Sequence, residues 1–273
     1  DGGGKEGVSH REIMLRDGTC ARLSGAGPAL ILLHGVGLNQ SIWAEQVKAF
    51  AGSYEVITYD LLGHGRSATV SENAVLGDWV HQLEKLVEEL KLERFSLVGF
   101  SFGGMIAQAY AAKNSVSIEK LVLMSTVYAR NTEERAGVQA RLDVATREGP
   151  QAIIGAALTR WFSPEFATEF PVAMQGYERM LRTNDTTSFL AAYKCFATGD
   201  KQLVDMVSRI NCPTLVMTGE LDGGSTPDMA RRLAAAIPSA RCFLIPQGRH
   251  MMPVERPDEV NSVLRRFLNG EYI

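Results

Sequence analysis

Short uninterrupted apolar runs recur along the chain at 29–33, 56–59, 95–98, 121–124 and 214–217. Runs without polar alternation are how strands covered on both faces read, as in a parallel sheet. A further run at 242–245 reads as the last strand. Segments 11–15 and 19–23 flank Arg16-Asp17-Gly18 and read as an antiparallel hairpin. Between the runs the period changes. Trp79, Val80, Leu83, Leu86, Val87 and Leu90 fall at helical steps, as do Val260, Val263, Leu264 and Phe267, so each stretch predicts a helix with one apolar stripe. Residues 103–112 are rich in small side chains and read as a helix packed closely on the sheet. Strand and helix alternate, which predicts an α/β chain with a mostly parallel sheet flanked by crossover helices.

The middle of the chain departs from that alternation. Residues 130–204 carry helical patterns broken at Gly149-Pro150, Ser163-Pro164 and Thr183-Asn184-Asp185, with no convincing strand. This block is expected to be a helical cap inserted into a core made of 8–129 and 205–270. Residues 1–7 are polar and glycine-rich and are expected to be a disordered tail rather than a secretory signal.

Composition narrows the function. The chain has 273 residues, 45% hydrophobic and 22% charged, which suits an ordinary globular protein. Its net charge of −3, with no basic block, argues against nucleic acid as a partner. No run approaches the length of a membrane span. Cys20, Cys195, Cys212 and Cys242 are scattered, with no metal-ligand spacing, and read as reduced packing residues in a cytoplasmic protein. No metal or cofactor is expected. The expected partner is a small molecule, and a homodimer stays open.

The chemistry is concentrated at strand ends. Gly99-Phe100-Ser101-Phe102-Gly103 follows one predicted strand and opens a predicted helix, the setting in which G-x-S-x-G exposes a nucleophile on a tight turn. A serine hydroxyl needs a neighbouring base. His250 lies just beyond the last strand, and Asp222 just beyond the run at 214–217, in the chain order serine, acid, histidine. The loops after parallel strands meet at one edge of the sheet, so these residues can converge. Ser101, Asp222 and His250 are therefore the candidate nucleophile, orienting acid and base. Glu220 is the competing acid, expected to face away. Phe102 N–H and Val36 N–H, in the loop His34-Gly35-Val36-Gly37, are the candidate donors to an oxyanion. His34 is expected to brace that loop. The glycine-rich stretch 60–67 fits no phosphate-loop pattern. It reads as a structural turn in which Asp60 and Arg66 pair or bond backbone.

Together, His34-Gly35, the turn at 60–67, Gly99 to Gly103, Asp222 and Gly248-Arg249-His250 resemble the α/β-hydrolase superfamily across residues 11–268. The stretches 160–166, 180–185 and 254–257 are similar to the 3-oxoadipate enol-lactone hydrolases, although those commonly carry Asn-Ser where this chain has His34-Gly35. The resemblance implies an α/β-hydrolase fold and hydrolysis of a small ester or of a carboxylate-bearing lactone, with the pocket between core and cap. Candidate substrate contacts are Trp161, Arg160 and Tyr128. The other cap aromatics (Phe162, Phe166, Phe170, Tyr177, Phe189, Tyr193 and Phe196) are expected to be mostly cap core. Hydrolysis of an amide or a carbon–carbon bond by the same triad stays open, as does a cofactor-free haloperoxidase side activity. A receptor on this fold is the non-enzymatic alternative. A dehalogenase is disfavoured because it needs a carboxylate at position 101.

Overall fold

The computed structural model describes residues 8–273. The tail expected at 1–7 lies outside the described residues. One sheet contains β1 (His10–Met14), β2 (Cys20–Ser24), β3 (Ala29–Leu33), β4 (Glu55–Tyr59), β5 (Phe95–Phe100), β6 (Ile118–Met124), β7 (Thr214–Gly219) and β8 (Ala240–Ile245). Their order across the sheet is β1-β2-β4-β3-β5-β6-β7-β8. β2 runs antiparallel to both β1 and β4, and the remaining neighbours are parallel. The expected hairpin forms with Met14 opposite Cys20, and Leu15 N–H closes it on Thr19 O at 2.8 Å.

The unbroken apolar runs are explained by what covers them. Ala29, Ile31 and Leu33 of β3 enter the core on one side of the sheet, and Leu30 and Leu32 enter the core on the other. β5 divides in the same way, with Leu97 on one side and Val98 and Phe100 on the other. Burying such side chains stabilises each by about 1.5–3 kcal/mol.

Among the described residues, the α-helices before the middle block are α1 (Ala44–Phe50), α2 (Leu76–Glu89) and α3 (Phe102–Asn114). The predicted stripe of α2 is real, with Trp79, Val80, Leu83 and Leu86 buried. α3 is buried on nearly all sides, which its Gly and Ala content permits. Between β6 and β7 the chain forms α4 (Thr132–Glu148), α5 (Gln151–Trp161), α6 (Pro164–Glu169), α7 (Pro171–Arg182), α8 (Thr186–Thr198) and α9 (Asp200–Leu203). After β7 come α10 (Pro227–Ala236), α11 (Met252–Glu255) and α12 (Pro257–Leu268).

The breaks inside the helical insertion have local causes. Asn131 accepts from Glu134 N–H at 2.8 Å while Glu134 accepts from Asn131 N–H at 3.1 Å, a reciprocal cap that starts α4. Gly149, at φ 93°, ends it. Ser163 caps α6 and Asp185 caps α8. The break at Phe170-Pro171, which divides α6 from α7, was not among the expected ones; Pro171 cannot continue the preceding helix but suits the first turn of the next.

A buried ion pair ties the two ends of the insertion together. Arg130 Nη1 donates to Asp200 Oδ1 at 2.9 Å, and Arg130 N–H donates to Asp200 Oδ2 at 3.1 Å. Arg135 Nη2 adds a bond to Asp200 Oδ2 at 3.0 Å. Arg130 also donates to the carbonyls of Phe196 and Ala197 at the end of α8. Breaking such a pair from one side leaves a buried charge uncompensated, which costs about 3–5 kcal/mol. Asp200→Ala is therefore expected to lower the urea-unfolding free energy by about 3 kcal/mol or more, and a loss below about 1 kcal/mol would contradict this role.

Candidate active site

The turn carrying Ser101 joins β5 to α3. Ser101 holds φ 54° and ψ −116°, a conformation that few residues with a side chain adopt. The surroundings enforce it. Ser101 N–H donates to Met124 O at 2.9 Å, and Thr126 Oγ1 donates to Ser101 O at 2.7 Å. A Cβ on Gly103 would lie 2.5 Å from His34 O, and one on Gly99 would collide with the Gly103 carbonyl. Only glycine fits either place. Gly35 lies against Ser101 as well, since its Cβ would sit 3.1 Å from that of Ser101.

Asp222 and His250 follow β7 and β8 at the same edge. His250 Nδ1 and Asp222 Oδ2 are 2.7 Å apart, within charge-assisted range. The other carboxylate oxygen, Oδ1, accepts from the N–H groups of Gly224 and Ser225 at 3.1 and 3.0 Å. The acid is thus held on both oxygens, and it is buried. The imidazole lies between Phe100 and Trp161, with ring centroids 5.0 and 5.7 Å away. Glu220 instead accepts from Gln247 N–H at 3.0 Å in an exposed position.

Ser101, Asp222 and His250 line one cavity of about 720 Å³, counted to its open mouth. No hydrogen bond joins the Ser101 hydroxyl to His250 among the described residues. Such bonds are often long in the absence of substrate and tighten as it binds. Val36 lines the cavity beside Ser101. Neither Val36 N–H nor Phe102 N–H, the first of α3, donates to a protein acceptor among the described residues. The Phe102 ring itself points into the core, 5.1 Å from Trp79.

Arg160 and Trp161 line the cavity; Tyr128 does not. Ser125 and Ala129 both take positive φ, and the intervening chain buries Tyr128 in the core while its carbonyl faces Arg232. The expectation for Tyr128 is therefore corrected. The other cap aromatics, expected to be mostly core, divide into two groups. Phe189, Tyr193 and Phe196 of α8 face the cavity, whereas Phe162, Phe166, Phe170 and Tyr177 pack on one another. Arg141 of α4 and Ser225 were not singled out in the sequence, and both line the cavity. The helical spacing of Phe189, Tyr193 and Phe196 marks a face of α8 but not what it faces. Arg141 carries no sequence signal beyond its type. Burial, and then the nearby Arg141, lower the Arg160 pKa from its ordinary value, opposed by Tyr193 and Asp222.

The loops around Ser101 are braced by two buried histidines. Leu61 N–H donates to His34 Nε2 at 2.9 Å, which leaves the His34 proton on Nδ1, facing Gly35 O at 2.8 Å. Gly37 N–H donates to His64 Nε2 at 2.9 Å, and His64 Nδ1 faces Leu62 O at 3.0 Å. Asp60 accepts from the N–H groups of Gln40 and Arg66, while the Arg66 guanidinium pairs with Glu12 rather than with Asp60.

Comparison with known proteins places this geometry among relatives. The model of the alpha/beta hydrolase family matches residues 30–263. The chain is 30% identical to (E)-2-((N-methylformamido)methylene)succinate hydrolase of Acinetobacter baylyi, over 89% of this chain and 91% of the relative. It is 27% identical to 3-oxoadipate enol-lactonase 2 of the same organism, over 88% and 90%. Among solved structures, the enol-lactonase of Burkholderia xenovorans LB400 superposes with a TM-score of 0.85 at 27% identity, covering 95% of this chain and all of the other.

Burial, and for His34 also the neighbouring His64, holds both brace histidines below their ordinary value, His34 well below it. Each is thus neutral in the folded chain and protonates more readily once unfolded. Their contribution to stability is present above the unfolded value of 6.5 and is lost as pH falls through the folded values. The melting temperature should fall between about pH 7.5 and about pH 5, and less steeply in His64→Gln. Parallel pH profiles for the two proteins would contradict this assignment.

Proposed function

The chain belongs to the alpha/beta hydrolase family, and from that premise we propose that it is a serine hydrolase of a small carboxylic ester or lactone, acting through an acyl-enzyme on Ser101. The observation that carries this reading is the 2.7 Å contact of His250 with Asp222 in the cavity that also holds Ser101.

Ser101 Oγ attacks the carbonyl carbon while His250 Nε2 takes the hydroxyl proton. Asp222 keeps the His250 proton on Nδ1 and stabilises the imidazolium that forms. As the carbonyl becomes tetrahedral, its oxygen accepts from Val36 N–H and Phe102 N–H. Each such donor is worth about 2.7–4 kcal/mol in the transition state. Phe102 opens α3, so the helix dipole favours negative charge at the same point. His250 then gives its proton to the departing oxygen. Water, deprotonated by His250, releases the acid and regenerates Ser101. The insertion acts as a cap that roofs the site with Trp161, Phe189 and Phe196.

The likeness to enol-lactonases favours a lactone whose ring opens to an enol, including one that bears a carboxylate. A second reading keeps the triad and cleaves an amide. It is favoured by the relative at 30% identity, whose named substrate contains a formamide group. Turnover of a matched ester and amide separates the two.

Ser101→Ala is expected to lower kcat on p-nitrophenyl acetate and on a reactive lactone by about 10⁴-fold or more, and Asp222→Asn by about 10⁴-fold. Near wild-type turnover in Ser101→Ala would end the serine mechanism. A single acylation burst without further turnover would favour a receptor.

A further inference from the structure

The loop that carries Val36 is a tight turn, and each of its peptide units is held. Leu38 N–H donates back to Gly35 O at 3.3 Å, and Gly37 holds φ 80°, as the third residue of a type II turn requires. The first unit is held at its carbonyl, since His34 Nδ1–H donates to Gly35 O at 2.8 Å. The second is held at its amide, since Gly37 N–H donates to His64 Nε2 at 2.9 Å. The third is held at its carbonyl by a residue from a distant part of the chain: Asn184 Nδ2 donates to Gly37 O at 2.8 Å. His34 and His64 follow β3 and β4, whereas the half-buried Asn184 lies in the turn between α7 and α8.

The amide of a trans peptide unit points opposite to its carbonyl. Holding Gly37 O therefore aims Leu38 N–H at Gly35 O, and holding Gly35 O aims Val36 N–H the other way. Two hydrogen bonds in series thus connect the Asn184 side chain to Val36 N–H through two peptide units. Bonds in such a chain polarise one another, which strengthens the donor at its end. Packing reinforces the contact. A Cβ on Gly37 would lie 2.6 Å from Leu181 and 2.9 Å from the Phe189 ring, so both side chains press on the same residue. Asn184 Nδ2 also reaches the carbonyls of Met180 and Leu181, both at 3.2 Å, which holds the amide at the end of α7. The turn between α7 and α8 is seated on the sheet edge at Gly37.

We propose that Asn184 is a positioning residue for the oxyanion hole, directing and polarising Val36 N–H through the turn at 35–38. In the serine mechanism proposed above, on which this inference rests, that N–H donates to the carbonyl oxygen as it becomes tetrahedral. The donor is correctly aimed only while the turn between α7 and α8 is seated on Gly37. Phe102 N–H, the first of α3, is fixed by the turn at Ser101 and does not depend on Asn184. Removing the Asn184 donor therefore weakens the hole from one side. The loss falls on the transition state rather than on substrate binding, because the hole acts where charge develops.

Kinetics of the full chain test this with two substitutions, Asn184→Ala and Asn184→Asp, the second keeping the size of the side chain while losing the donor. Each is expected to lower kcat on p-nitrophenyl acetate by about tenfold and to leave KM within about twofold. Each is also expected to weaken inhibition by 1,1,1-trifluoro-2-hexanone by about tenfold, because that ketone takes the Ser101 oxygen onto its carbonyl carbon and carries an oxyanion into the hole. Asp185→Ala is the control. It removes the cap of α8 in the same turn, and is expected to lower the urea-unfolding free energy while kcat and the inhibition constant stay within about twofold of wild type. Unchanged kcat and inhibition in both Asn184 variants overturns the proposal. So does a rise in KM that accounts for the whole loss of kcat/KM, or an equal fall of kcat in Asp185→Ala. If Ser101→Ala loses turnover and these results still fail, the positioning role alone is wrong. If Ser101→Ala keeps its turnover, the mechanism beneath it is wrong.

Discussion

Ser101 occupies a backbone conformation that costs a residue with a side chain of order 1–3 kcal/mol, and the surrounding packing has to outweigh it. Gly99 allows β5 and α3 to close on each other, Gly103 lets α3 press on the end of β3, and Gly35 lets the neighbouring loop press against the serine. Parallel pairing of β3, β5 and β6 locks the strand ends in register, and the bond from Ser101 N–H to Met124 O uses that register directly. The result is a hydroxyl raised above the sheet edge, with the first N–H of α3 beside it. The positions of His250, Asp222 and the helices between β6 and β7 have meaning only relative to that turn.

The rest of the edge consists of supports for the same geometry. His34 and His64 give up any role as proton carriers at the cavity. Each accepts a backbone N–H on Nε2, and burial keeps each neutral. Asp222 is gripped by two N–H groups on one oxygen and presents the other to His250. The Arg130–Asp200 pair sits farther away, where the chain enters and leaves the insertion. It holds the end of α8, and with it Phe196, which lines the cavity and lies under the Arg130 guanidinium at 4.8 Å.

Much of this was legible in the sequence, for physical reasons that also mark where legibility ended. Strands buried on both faces must be apolar throughout, so the runs at 29–33, 95–98 and 214–217 stand out, and polar residues just beyond them fall at one edge. That places Ser101, Asp222 and His250 without knowledge of the helices. Tyr128 could not be placed in this way. It follows β6 too, but positive φ at Ser125 and Ala129 redirects the chain, and one sequence does not reveal such a turn at non-glycine residues. Arg141 was hidden for a different reason. Which face of α4 meets the cavity is set by packing against α5 and α8, and an arginine beside Leu142 reads equally well as a solvated side chain. The charge pattern of the pocket emerges only when the insertion is folded over the sheet.

The central claim is that His250, held by Asp222, activates Ser101. Labelling with a fluorophosphonate, followed by peptide mass mapping and by rate measurement in His250→Gln, tests it most directly. The account predicts one adduct per chain, on Ser101, with the labelling rate falling by about 10³-fold or more when the base is removed. An adduct on another residue, or a labelling rate that His250→Gln leaves unchanged, would contradict it.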